Sequence, residues 1–125
     1  MHKKEPIIYK KGMFAPYKAN HNLDAWDGFP EMMWGLGFEM DTFKTYDEFL
    51  KNSDLKLKEA TNERQNKRNS LYVLEHADRQ IVGNYLFSYW RYLTHWTIGG
   101  YTPYDIDFLL RIIEILEKTY ENDAK

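Results

Sequence analysis

From Ser70 to Thr97 the sequence contains no proline and a single glycine, Gly83. Immediately beyond it, Gly99-Gly100 lead into a second apolar-patterned stretch opening at Thr102-Pro103. Few arrangements other than two consecutive helices accommodate such a run. Stepping through the first segment at about 100° per residue puts Leu74, Ile81, Val82, Tyr85, Leu86, Tyr89, Tyr92, Leu93 and Trp96 on one broad face. A stripe of His76, Gln80, Asn84, Ser88, Arg91 and His95 falls opposite. Gly83 costs an interior helix about 1 kcal/mol, which so long an element tolerates. The glycine pair supplies residues able to stop a helix, and Thr102 with Pro103 and Asp105 supplies an N-cap, a first helical position and an acid in the first turn.

The last segment is periodic throughout. Ile106, Phe108, Leu109, Ile112, Ile113, Ile115, Leu116 and Tyr120 occupy one half of a helix over about 103–121. Asp107, Arg111, Glu114, Lys118 and Glu121 occupy the other, with Asp107–Arg111 and Glu114–Lys118 in the favourable i,i+4 order. So tight a connection makes 70–97 and 103–121 an antiparallel helical hairpin, and its facing apolar sides form the expected centre of an all-α fold. The generous apolar half of the last helix also keeps a homodimer open.

The N-terminal third has to cover that centre. Residues 1–25 mix lysines, asparagines, Gly12, Pro6 and Pro16, which predicts an irregular arm with a small hairpin turn at Lys11-Gly12. Pro30 starts a short helix that Gly35 and Gly37 end. Thr45 and Glu48 form a capping-box pattern for another short helix. The stretch 51–70 is almost wholly polar and is expected to be a mobile segment, with Glu59–Arg68 its candidate for a solvated helical turn or two. At 125 residues the whole reads as one domain, 1–125.

Composition narrows the function classes. With no cysteine there is neither a disulfide framework nor a thiolate site, which fits a reducing compartment and makes the cytoplasm the expected location. The apolar run at Ile7-Ile8-Tyr9 is far too short for a signal core or a membrane span. A formal charge of −2 gives no field for gripping nucleic acid, so the basic tract Lys56, Lys58, Arg64, Lys67 and Arg68, interrupted by Glu59 and Glu63, reads first as a solvated linker. The second reading of that tract is an RNA or DNA contact.

Chemistry-bearing motifs are sparse. Ser53, Ser70 and Ser88 lack a nucleophile elbow, and the phosphate-binding glycine patterns are absent, Gly35-Leu36-Gly37 being a helix stop. Histidine spacing fits no metal, and neither a catalytic residue nor a cofactor is expected. Within Glu75-His76-Ala77-Asp78-Arg79, the His76 and Asp78 side chains point about 160° apart on a straight helix and cannot act together, whereas Glu75 and Arg79 are spaced as an ion pair. Asp78 falls amid the apolar face, so it is expected to be buried beside a polar partner or to sit in an aromatic pocket with Tyr85 and Tyr89. Arg91 and His95, at i,i+4, are spaced to receive an anionic group.

Aromatic residues make up 17% of the chain, and two tryptophans, a phenylalanine and two methionines crowd into Ala25–Trp34. Trp26, Phe29 and Trp34 therefore read either as interface anchors or as the hairpin's lid. The first function expected is a non-enzymatic protein-interaction module, such as a small regulator or inhibitor recognising another protein through an aromatic and acidic surface. The second is a small-molecule-binding protein or enzyme built around Asp78.

Overall fold

The computed structural model describes residues 6–40, 62–97 and 100–123. Their regular elements are all helical: α1 (Ala15–Lys18), a 3-10 turn at Leu23–Ala25, α2 (Phe29–Gly35), α3 (Glu63–Glu75), α4 (Arg79–Arg91) and α5 (Pro103–Asp123). A π-helical turn, Tyr92–Trp96, continues α4. The capping box at Thr45 and Glu48, Ser53, and Lys56, Lys58 and Glu59 of the polar stretch lie outside the described residues.

Helices α4 and α5 form the expected antiparallel hairpin. At one end Arg79 donates to the Thr119 carbonyl at 3.1 Å, and at the other the Tyr89 hydroxyl meets Asp105 at 3.4 Å. Between them the Phe108 ring sits edge-on to Tyr89 at 5.0 Å and to Tyr85 at 6.4 Å. Ile106, Phe108, Leu109, Ile112, Ile113, Ile115 and Leu116 are buried, so the apolar half of α5 is taken up by its own chain.

The segment from 70 to 97 is not one helix. It breaks at His76–Asp78, where Asp78 adopts extended backbone and its carboxylate accepts the Ile81 N–H at 3.0 Å. An aspartate that can satisfy an orphan N–H favours starting a helix over continuing one. Helix α3 also starts earlier than expected, taking in Glu63–Asn69 of the polar stretch, because Asn62 caps it by accepting the Gln65 N–H at 2.8 Å. Freed from the α4 axis, α3 packs against α5 as well.

The N-terminal arm is pinned to α5. Tyr9 stacks on Tyr120 with ring centres 4.3 Å apart, and Lys18 pairs with Glu117 at 2.8 Å. Gly12 takes a turn conformation, but it opens into α1 rather than joining a strand hairpin. Phe14, Leu23, Trp26, Phe29, Met33 and Phe38 are all buried. Because these residues cover the far side of α4, that helix is buried almost all round, and the expected polar stripe does not face solvent as a whole. Ser88 is buried, and Gln80 and Asn84 bind the backbone of Gly37 and Glu39. Conversely Ile81 and Tyr92, assigned by periodicity to the apolar face, are over 40% exposed, because the chain breaks before one and changes to π geometry at the other.

Gly83 is required rather than tolerated. A Cβ there would lie 2.1 Å from Cε1 of Phe38, so the phenylalanine ring is seated on bare backbone. Gly83→Ala should therefore destabilise by about 2 kcal/mol despite alanine's better helix propensity. Asp78→Ala should cost about 1 kcal/mol as a lost cap, whereas a continuous helix would gain from it. Urea denaturation of the two variants measures both signs.

Candidate functional site

Trp26 and Phe29 are core residues, 3% and 0% exposed, which overturns their reading as surface anchors. The rings meet at 5.1 Å, and Phe29 packs on Phe87 at 6.2 Å and on Trp90 at 5.3 Å. The Trp26 indole donates to the Asn20 carbonyl at 2.7 Å, so its polar edge is satisfied internally. Burying two such rings outweighs leaving them exposed by roughly 2–3 kcal/mol each. Trp34, one turn further along α2, keeps 36% exposure while its ring lies against Phe87 at 5.8 Å.

The pocket expected around Asp78 does not form. Asp78 is an exposed cap, while Tyr85 and Tyr89 stack on each other, 6.3 Å apart, inside the hairpin. The Glu75–Arg79 pair is replaced as well, since the break turns Arg79 toward α5. There its guanidinium lies 4.0 Å above the Tyr120 ring and pairs with Asp123. Arg91 and His95 are both exposed but do not work together: Arg91 approaches the Met40 sulfur, and His95 bonds Thr94.

Lys67 is the residue that sequence reasoning misplaced. It is 1% exposed, its Nζ lies 2.6 Å from Asp105 Oδ1, and the rings of Tyr104, Phe108 and Tyr89 surround it at 4.7, 5.5 and 5.9 Å. Its spacing to Leu71 and Leu74, i+4 and i+7, was the available signal that it shares their inward face. Asp105 is held from the other side as well. Its Oδ2 accepts both N–H and Oγ1–H of Thr102, at 2.8 and 3.0 Å, and its own N–H is received by Thr102 Oγ1 at 3.2 Å. Burial works to raise the Asp105 carboxyl, but the hydrogen bonds from Lys67 and Thr102, with the Lys67 charge, outweigh it and hold the pKa below the ordinary carboxylate value.

A cleft of about 380 Å³ opens where the turn between Leu23 and Glu31 meets the end of α4 and the π-turn. Its lining includes Trp26 and Trp90, the acids Asp24, Asp27 and Glu31, and His95. None of these three carboxylates has an ion pair among the described residues. Their field is felt beside the cleft: burial first, then the charges of Glu31 and Asp27, push the Tyr17 phenol above its ordinary value. A site next to His95 is thus lined by carboxylates, the opposite of the anion-receiving groove that its spacing from Arg91 suggested. The cleft lies at the small end of ligand-site volumes.

No family model, curated protein or solved structure matches this chain. Among the described residues, no group of three or more His, Asp or Glu side chains is placed to hold a metal ion. No described helix is long and apolar enough to cross a membrane.

Asp105 sets an acid limit on stability. A carboxylate whose pKa is depressed by folding contributes above its unfolded value, near 3.9, and that contribution disappears as pH falls through the folded value. Asp105→Asn should cost about 3 kcal/mol at pH 7, because a buried ammonium loses its carboxylate. It should also flatten the loss of stability between about pH 5 and pH 2. Urea titrations of the two proteins across that range test both effects.

Proposed function

We propose that the chain is a non-enzymatic protein-interaction module, a small regulator or inhibitor that binds another protein through the acidic cleft at the end of α4. The observation that carries this reading is the set of three carboxylates, Asp24, Asp27 and Glu31, gathered around one concavity with no counter-ion among the described residues. Charges arranged on one sign of a concave wall focus the field and steer partners of the opposite sign. Trp34 follows Glu31 by three residues on α2 and shares its helix face, which adds a half-open aromatic beside the acids. Tryptophan at the margin of a charged surface fits the composition of recognition sites.

Neither alternative gains support of this kind. A small-molecule site around Asp78 would need a cavity where the structure has an exposed helix cap. The basic tract has its Lys67 withdrawn into the interior, with Arg64 lying 5.0 Å from the Tyr104 ring and Arg68 bonded to Gln65.

The test is charge reversal at the cleft. Asp27→Lys combined with Glu31→Lys should leave circular dichroism and the melting temperature near wild type, since neither carboxylate bonds another described residue. Immobilised as bait in extract from the source cells, the wild-type chain should retain proteins that the double variant loses. Trp34→Ala should weaken the same retention. An identical set of retained proteins on wild type and double variant would refute the assignment.

A further inference from the structure

We infer that the helical hairpin carries a binding site for an alkylammonium group, formed by Tyr89, Tyr104, Asp105 and Phe108, and that Lys67 of α3 is its resident occupant. An external ammonium ligand and the docking of the first half of α3 then exclude one another. The class of ligand follows from the walls. Ring centres of Tyr104, Phe108 and Tyr89 stand 4.7, 5.5 and 5.9 Å from the Lys67 Nζ, and Asp105 Oδ1 approaches it at 2.6 Å. Ring faces attract a cation within about 6 Å, and a carboxylate offers an acceptor for its N–H groups. Together they select a compact cation at the end of an apolar stem.

These walls do not depend on α3. Tyr89 comes from α4, and Tyr104, Asp105 and Phe108 come from the first two turns of α5. The Tyr89 ring meets Phe108 edge-on at 5.0 Å, and its hydroxyl meets Asp105 at 3.4 Å. Thr102 holds the same carboxylate through its N–H and its hydroxyl. Groups positioned by one unit and filled by another make a pre-organised site, because withdrawing the occupant leaves the walls in place.

The uneven hold of α3 is an independent observation pointing to an exchangeable occupant. Val73 and Leu74, at the end next to the break at His76–Asp78, are buried and anchor that end by apolar contact. In the first half the buried side chains among those described are Lys67 and Ser70, and the Ser70 hydroxyl is spent on the Asn66 carbonyl of its own helix. Asn62, Arg64 and Arg68 are exposed, with Arg64 adding an outer contact to the Tyr104 ring at 5.0 Å. Lys67 is therefore the buried tether of that half. A ligand that takes its place loosens residues 64–70, and by linkage the hold of α3 sets how strongly the ligand binds.

Lys67→Ala empties the site by the equivalent of n-propylammonium, so that cation is the probe and 1-propanol its neutral counterpart. Added to the full-length variant, with sodium chloride at equal ionic strength as reference, n-propylammonium should saturably shift the ring protons of Tyr89, Tyr104 and Phe108 and raise the melting temperature. Propanol should bind at least about tenfold more weakly, as should the cation to Lys67→Ala combined with Asp105→Asn. The wild-type chain should bind the cation at least about tenfold more weakly than Lys67→Ala, because a tethered competitor is present. Its amide exchange should quicken over residues 64–70 and stay unchanged in α5. Equal response to propanol and the cation, or indifference to Asp105→Asn, overturns the site. Equal affinity of wild type and Lys67→Ala overturns the role of Lys67 as occupant. Should Lys67→Ala fail to fold, the wild-type exchange decides alone: no quickening at 64–70 beyond that in sodium chloride overturns the inference.

Discussion

The ammonium of Lys67 is the constraint around which the C-terminal helices are arranged. A lysine that is 1% exposed needs a close partner for its buried head group, and the Asp105 carboxylate provides it at 2.6 Å. That one contact fixes where α3 lies against the first turn of α5. It also recruits Thr102, whose N–H and hydroxyl complete the coordination of the same carboxylate while starting the helix. Three aromatic rings close around the cation, so several of the chain's many tyrosines and phenylalanines serve as the walls of a charged site. The break at Asp78 is the geometric condition for this: a straight helix from 70 to 97 would carry its N-terminal end along the α4 axis and away from Asp105.

The aromatic content divides by location. One group, Tyr85, Tyr89 and Phe108, fills the hairpin, and another, Trp26, Phe29, Phe87 and Trp90, joins the N-terminal third to the opposite side of α4. The second group also forms the wall beside which the acidic cleft opens, so the rigidity of the core and the placement of the surface carboxylates share a cause. Asp24, Asp27 and Glu31 come from a turn and a short helix that would have little structure of their own. They are positioned because Leu23, Trp26 and Phe29, interleaved with them in sequence, are all buried.

Local chemistry was readable where it agreed with tertiary packing. The apolar half of α5, the Thr102 cap and the short helix at Pro30 follow from periodicity and turn residues, and the structure has each of them. Periodicity misled between 70 and 97 because Leu74, Ile81 and Tyr85 fit one 3.6-residue pattern even though a break separates the first from the others. The clue against it is Asp78, an excellent cap in an unfavourable interior position, which periodicity alone places as a buried acid with a polar partner or in an aromatic pocket. Lys67 is hard to place for the converse reason: its sequence neighbours are polar, and only its spacing to Leu71 and Leu74 marks its inward face. For the cleft, the crowding of aromatics and acids over 24–34 was visible, but which of them turn inward depends on contacts with α4 that no local pattern encodes.

Phe38, buried and seated on the bare backbone of Gly83, is a knob in a socket with no room for even one methyl group. Such a joint links the fates of residues far apart in the chain. Bulk added at position 83 has to be given up at position 38. The seat of Phe38 on α4 can therefore change only by paired substitution, and it holds the N-terminal third beside the hairpin together with the Tyr9–Tyr120 stack and the Lys18–Glu117 pair.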